Sequence, residues 1–324
     1  MTQWRNSVFI GLLAPLLVSA YPVPLGQSIE PGAGTGKPGE VLQIDEDRGR
    51  RMTVPVSIEG NGPFSFVIDT GAERTVLSKK VATKLALEEE DPAQLISIAG
   101  QSTVDMVFVP QLTLGSKSYE GLISPVLLER HIGAEGILGL DGLQDQRILF
   151  DFVNNEITVE DAAVKRTGVS SREIVVTARR RSGQLIFTDA VIAGVKTNVI
   201  IDTGAQISIA NPALKKRLQR QRRKTGISNL LIAVTGDTLG VEFGRARNFK
   251  LGSARFDSLL VAFADAPPFK QFGMENKPAL LLGMEVLRQF DQVAIDFPKR
   301  KIHFLPPKHA MIHREEPRNS LIKF

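Results

Sequence analysis

The sequence predicts an all-β chain of two duplicated lobes. Three observations predict it. An apolar, strand-like run ending in Asp-Thr-Gly-Ala occurs at 64–72 and again at 198–205, with the two aspartates 133 residues apart. Around each copy five features recur in the same order, a series that chance rarely produces and that fixes an architecture of paired lobes. Most of those features are alternating apolar and polar runs punctuated by Gly-containing turns, the pattern of strands and hairpins.

The chain opens on "MTQWRNSVFIGLLAPLLVSAY", with Arg5, an apolar run from about Val8 to Val18, and then Val18-Ser19-Ala20. This fits a secretory signal peptide over residues 1–20, cleaved after Ala20. The run is interrupted by Pro15, and it falls below the roughly 17–25 residues a spanning helix needs, which disfavours a retained anchor. The expected location is the periplasm of a Gram-negative cell, or the exterior otherwise. Residues 21–40 are rich in Pro and Gly and read as a flexible leader. Their "GTGK" is not a phosphate loop. Pro31 stands where Gly is required, Pro38 follows Lys37 where Ser or Thr belongs, and no strand precedes it.

The first lobe is expected over 41–165 and the second over 170–306. After each aspartate comes a short helix, "LSKKVATKLAL" capped by Ser78 and "NPALKKRLQRQ" capped by Asn211 with Pro212 in its first turn. Hairpins follow in "ISIAGQSTVDMVFV" and "LIAVTGDTLGVEF", with Gly100 lying 31 residues past Asp69 and Gly236 lying 34 past Asp202. Then "LTLGSKSYEGLISPVLL" matches "FKLGSARFDSLLVAF", and "GILGLDGLQDQRILFDFVNNEITV" matches "LLLGMEVLRQFDQVAIDFPKRKIHFL". Polar "EDAAVKRTGVSSRE" is a short crossover, and residues 307–324 read as a basic tail.

Composition sets the outer limits. The chain has 324 residues, 43% of them hydrophobic and 23% charged, which suits a globular protein with two full cores and excludes a disordered or fibrous one. Cysteine is absent, which excludes disulfides, a thiol nucleophile and cysteine-held metal. The net charge of +5 hides an asymmetry: residues 45–165 hold 20 acids and 11 bases, residues 166–324 hold 13 acids and 27 bases. Seven bases fall within "KKRLQRQRRK" (Lys215, Lys216, Arg217, Arg220, Arg222, Arg223 and Lys224). That run reads as a solvated extension of the helix capped by Asn211, with contact to an anionic membrane surface as its more specific reading.

Asp69 and Asp202 each end an apolar run, where an unpaired ionised carboxylate is costly to bury. If the lobes are related by a pseudo-twofold axis, each acid meets the other across it. Two such carboxyls share one proton and titrate as a coupled pair. A pair with one negative charge suits hydrolysis of an amide, the charged acid activating a water and the protonated one donating to the carbonyl oxygen. Gly71 and Gly204 let main-chain amides approach the carboxylates, and Thr70 and Thr203 supply hydroxyls that can bond across the interface.

The paired "DTGA" with "ILG" at 137–139 and "LLG" at 281–283 resembles the pepsin and retropepsin aspartic proteases, over about 260 residues. The bacterial retropepsin-like proteases, exported single chains with two lobes, are the most similar form. The resemblance implies a bilobal pepsin-like fold, two duplicated β-barrel-like lobes with the active-site cleft between them, and an aspartic endopeptidase without cofactor or metal. It further implies a catalytic dyad of Asp69 and Asp202, an interlobe hydroxyl grip of Thr70 and Thr203, and catalytic loops completed by Gly71, Ala72, Gly204 and Ala205. It places a flap tip at Gly100, Gln101, Ser102 and Thr103. Two departures stand out. Pepsin-type flaps carry a Tyr, whereas this chain has only Tyr21 and Tyr119. Ala72 and Ala205 stand where a Ser is usual, and losing a bond to a charged group is worth about 1.5–3 kcal/mol. At 1.36 kcal/mol per pKa unit, that moves the active range up by about one unit, to mildly acidic or neutral pH.

A lone Asp-Thr-Gly is an ordinary turn after a strand; two in register within a wider repeat are not. The competing reading is a pepsin-like peptide-binding protein that does not cut. Serine catalysis is disfavoured because "GQSTV" around Ser102 lacks the Gly-x-Ser-x-Gly elbow. His309 and His313 have the i, i+4 spacing of a zinc clip but fall in the tail. With both aspartates in one chain, a monomer binding a polypeptide, and no nucleic acid, is expected.

Overall fold

The computed structural model describes residues 7–9, 40–43, 45–46, 52–161, 171–181, 184–218 and 223–308. Of the expected signal segment these include only Ser7–Phe9, a strand parallel to Gln94–Ile96. The rest of that segment, nearly all of the leader, and the tail from 309 with His309 and His313 lie outside the described residues, as do Arg220 and Arg222.

Two β-rich lobes repeat one plan. In the first, Met52–Ile58 and Asn61–Ile68 form a hairpin in which Val54 and Val56 pair with Phe66 and Phe64, all four buried. Alternation gives way to unbroken burial at Phe66–Ile68, because Phe66 and Ile68 enter the main core while Val67, on the opposite face, joins a second cluster with Val76, Leu95, Ile132 and Ile137; Gly136–Leu138 pairs parallel alongside. The second lobe repeats this with Gln184–Ile192, Val195–Ile201 and the parallel strand Ala279–Leu282. The duplicated aspartates thus close two equivalent apolar strands, each flanked by a parallel neighbour.

Both predicted helices form where their caps stand. Lys79–Lys84 begins after Ser78, whose hydroxyl accepts from Val81 N at 3.2 Å. Pro212–Leu218 begins after Asn211, whose Oδ1 accepts from Leu214 N at 2.9 Å. The second does not extend through the basic run as expected. Arg223 and Lys224 open the strand Arg223–Ile232, in register with Arg245 and Gly244. Cross-strand pairing to Thr238–Leu251 takes those residues, so the seven bases do not share one helix face.

A third sheet of six strands joins the halves. Gln146–Asp151 of the first half pairs antiparallel with Gln292–Asp296 of the second, flanked by Glu156–Asp161 and Glu40–Gln43 on one side and by Lys301–Leu305 and Ile174–Thr177 on the other. Ile148, Phe150, Val293, Ile295, Ile302 and Phe304 are buried in the same apolar cluster as the cores of both lobes. The lobes therefore share a core beneath the cleft.

Candidate active site

Asp69 and Asp202 sit at the floor of the cleft, 3% and 2% exposed. Each loop is fixed by its own neighbours. Asp69 N donates to Leu138 O and Asp202 N to Leu282 O, both at 3.0 Å, so the parallel strand holds the backbone where the apolar run ends. The carboxylates accept main-chain amides: Asp69 Oδ1 from Gly71 N at 2.7 Å and Ala72 N at 3.2 Å, Asp202 Oδ1 from Gly204 N at 3.1 Å and Ala205 N at 3.0 Å. Ala72 and Ala205 contribute amides and no hydroxyl.

The glycines are required by close approach. A Cβ at Gly204 would fall 2.2 Å from Asp69 Oδ2, and one at Gly71 would fall 2.8 Å from Asp202 Oδ1. Each glycine lies against the opposite aspartate, which is how two loops from two lobes bring their acids together.

The threonines lock this meeting. Thr70 N donates to Thr203 Oγ1 at 3.0 Å and Thr203 N to Thr70 Oγ1 at 3.2 Å. Thr70 Oγ1 donates in turn to Ile201 O at 2.9 Å, and Thr203 Oγ1 to Ile68 O at 2.8 Å. Each hydroxyl uses its single proton on the carbonyl just before the other lobe's aspartate. All four bonds are buried and cross the interface.

Burial, then the neighbouring Asp69 charge, drive the Asp202 carboxyl well above the ordinary carboxylate range. The amides of Ala205 and Gly204 pull the other way, and a hydrogen bond to Asp69 adds to the rise. Two carboxyls placed this way share one proton and titrate as a coupled pair.

Beneath the pair lies a support that sequence reasoning missed. Six residues past each aspartate, Thr75 Oγ1 accepts from Gly139 N at 3.2 Å and Ser208 Oγ from Gly283 N at 3.0 Å. Asp141 accepts from Thr75 N and Oγ1, and Glu285 Oε1 accepts from Ser208 N at 2.9 Å. Burial raises both of these carboxyls despite the bonds they receive. The signal was present in the repeat, an acid two residues past each apolar-Gly motif.

A cavity of about 400 Å³ holds both aspartates and is walled by Ile98, Ile207, Leu230 and Ile232, with His131 and Gln206 as polar points. Leu230 and Ile232 are 62% and 69% exposed, an apolar edge facing open space. A larger hollow of about 640 Å³ shares Leu230 and holds Lys215, which pairs with Glu242 at 2.9 Å, but it contains neither aspartate. Lys216 and Arg217 are exposed.

The first hairpin turns one step earlier than expected. Its turn is Ile98–Ala99, and Gly100, Gln101, Ser102 and Thr103 open the outgoing strand Gly100–Leu114 behind it. Register pairs Ser97 with Gly100 and leaves only two residues for the loop. Tyr119 lies on Lys117–Leu127 opposite Leu112, away from either hairpin tip. A second hairpin, Arg223–Ile232 with Thr238–Leu251, carries its turn at 233–237 over the same cavity.

A family profile described as aspartyl protease matches residues 54–141 and 188–286, more than half of the chain. One match falls in each lobe, the first containing Asp69 and the second Asp202. No curated protein matches the chain.

Proposed function

The chain belongs to the retropepsin-like aspartyl protease family, and on that premise we propose that it is an endopeptidase working through Asp69 and Asp202. The observation that carries this reading is the buried pair itself, whose loops are hydrogen-bonded across the lobes and whose burial, with the mutual charge, raises the Asp202 carboxyl. In this reading Asp202, whose carboxyl is raised, is the acid and Asp69 the base: Asp69 takes a proton from a water placed between the carboxyls, and that water attacks the scissile carbonyl. Asp202 gives its proton to the carbonyl oxygen, forming a neutral tetrahedral diol. Return of a proton from Asp69 to the amide nitrogen, as Asp202 takes one back from a diol hydroxyl, then lets the C–N bond break to acid and amine, with no covalent enzyme intermediate. The apolar walls at Ile98, Ile207, Leu230 and Ile232 suit a peptide laid across the floor.

The experiment is cleavage of a random-sequence peptide library from pH 3 to 8 by the chain and by its Asp69→Asn and Asp202→Asn variants. The reading requires each variant to lose at least about 10²-fold in rate, the lower bound for removing a general acid or base. Peptide binding with no product from any of the three proteins would replace it with a non-cutting peptide binder.

A further inference from the structure

The second lobe carries a basic face that takes no part in the cleft. On its inner side the sheet is apolar, and Ile192, Val195, Ala246, Phe249, Phe256 and Leu259 gather there in one core cluster. Asn248, at φ +52°, interrupts the alternation of its strand. Ala246 and Phe249 therefore both reach the core, while Arg245, Arg247 and Lys250 turn the other way, the two arginines exposed and the lysine half-buried.

Register extends this face sideways. Lys196 stands opposite Val191, Val191 opposite Lys250, and Lys250 opposite Arg255 on the strand Ala254–Phe263, one row across four neighbouring strands. Opposite residues share a face and neighbouring strands lie about 4.8 Å apart, so the row spans about 14 Å. Further along, Arg245 stands opposite Arg223. Lys250 with Arg255, and Arg223 with Arg245, thus set like charges directly opposite, a destabilising arrangement that an anion lying over them relieves. Asp257 is the acid beside them, walling with Lys250, Arg255, Gly194 and Asn248 a hollow of about 390 Å³.

We propose that this face docks the protein on an anionic phospholipid surface, with the hollow beside Lys250 and Arg255 taking a headgroup phosphate. Three features favour lipid over other polyanions. The bases spread in two dimensions over an outer sheet face, not along a groove that would track a nucleic acid backbone. The rings of Phe249 and Phe256 stack on each other and pack toward the core, so nucleic acid bases meet no aromatic platform. The exposed large apolar side chains among the described residues, Leu230 and Ile232 foremost, lie outside these rows, so the face lacks the apolar centre of a protein interface. Lys196 lies near the start of Val195–Ile201 and Asp202 follows its end, six residues and about 20 Å on. Membrane contact, expected of the 215–224 run, thus falls to a sheet face remote from the aspartates.

The full chain, free of cysteine, can carry an environment-sensitive fluorophore on Ser258→Cys, opposite Arg247 on this face, or on Val153→Cys, exposed in the first half. Vesicles containing phosphatidylglycerol should shift the emission from position 258 and not from 153, and vesicles of phosphatidylcholine alone should shift neither. In co-sedimentation, the excess affinity for phosphatidylglycerol vesicles should fall about fivefold per neutralised base, compounding across Arg245→Gln, Arg247→Gln, Lys250→Gln and Arg255→Gln. It should also collapse in about 0.5 M salt. Lys79→Gln/Lys80→Gln, exposed on the first lobe, should leave it within about twofold. A fourfold variant that binds like the parent, equal shifts at both labels, or no shift at 258 would overturn the docking. So would a shift at 258 produced by inorganic phosphate, polyglutamate or RNA but not by vesicles, which would assign the face to a soluble anion, an acidic protein or a nucleic acid. Should the fourfold variant fail to fold, Arg245→Gln/Arg247→Gln and Lys250→Gln/Arg255→Gln carry the same comparison. Vesicle binding needs no catalysis, so the result stands whether or not the chain cuts peptide.

Discussion

Thr203 shows how much one hydroxyl can hold at this interface. Its Oγ1 donates to Ile68 O and accepts from Thr70 N. Thr203→Val keeps the shape and strands that buried amide, at a cost of about 1–3 kcal/mol. Urea unfolding should show this loss with an unchanged m-value, and Thr203→Ser should recover most of it. Gly204→Ala makes the complementary case. The new methyl meets Asp69 Oδ2, so the variant should fold and yet lose peptide cleavage, a split visible by comparing circular dichroism with product formation. The proton shared by the pair also has a pH consequence. Burial and the Asp69 charge raise the Asp202 carboxyl, and cleavage should fall away on the alkaline side as the pair loses its shared proton. Maximal turnover below about pH 3 would contradict this and would also contradict the expected effect of Ala72 and Ala205.

The turn after each apolar-Gly strand carries a second acid, and these elements respond to pH with a definite sign. Burial raises Asp141 and Glu285, as it does Asp202. Groups raised in the folded state contribute stability that is complete below their unfolded values, near 4, and is lost as pH rises through the folded ones. Asp151 has the opposite sign. Burial works against it, but bonds from Asn154 and Val153 amides and the Gln292 and Asn154 side chains prevail and lower it. Its contribution is present above about 4 and lost as pH falls. Melting temperature should therefore peak in mildly acidic solution and decline toward both ends, and a steady climb to pH 8 would contradict the assignment. Much at this scale was legible in the sequence. Ser78 and Asn211 announce their helices, and the alternating runs announce both hairpins. The basic run at 215–224 was misread because its pairing partner lies some twenty residues further on, where local pattern is blind. The turn of the first hairpin was misplaced by weighting Gly100 over the register that pairs it with Ser97.

Across the whole molecule, the duplication made Asp69 and Asp202 readable as a pair, but the contacts that hold the lobes together were not. Ser102 with Asp237, and His131 with Gly236, join residues over a hundred positions apart whose types carry no motif. Only the docking of one lobe on the other makes them neighbours. The six-stranded sheet is of the same kind, since Gln146–Asp151 finds its partner in Gln292–Asp296. Such sharing predicts that the halves cohere without the crossover. Fragments 1–165 and 166–324 produced together should co-purify and cut peptide, neither fragment alone should cut, and halves that separate on a column would argue against a common core. The crossed threonine bonds carry a last consequence, in the order of synthesis. When a ribosome has made the first 200 residues, Thr70 has no hydroxyl opposite it and Asp69 has no companion. The aspartate pair comes into being only after the second loop has emerged, and the six-stranded sheet that joins the halves is complete only when Lys301–Leu305 has followed. A growing chain therefore has no aspartate pair until its second lobe is under way, and no sheet joining its halves until its final strands have followed.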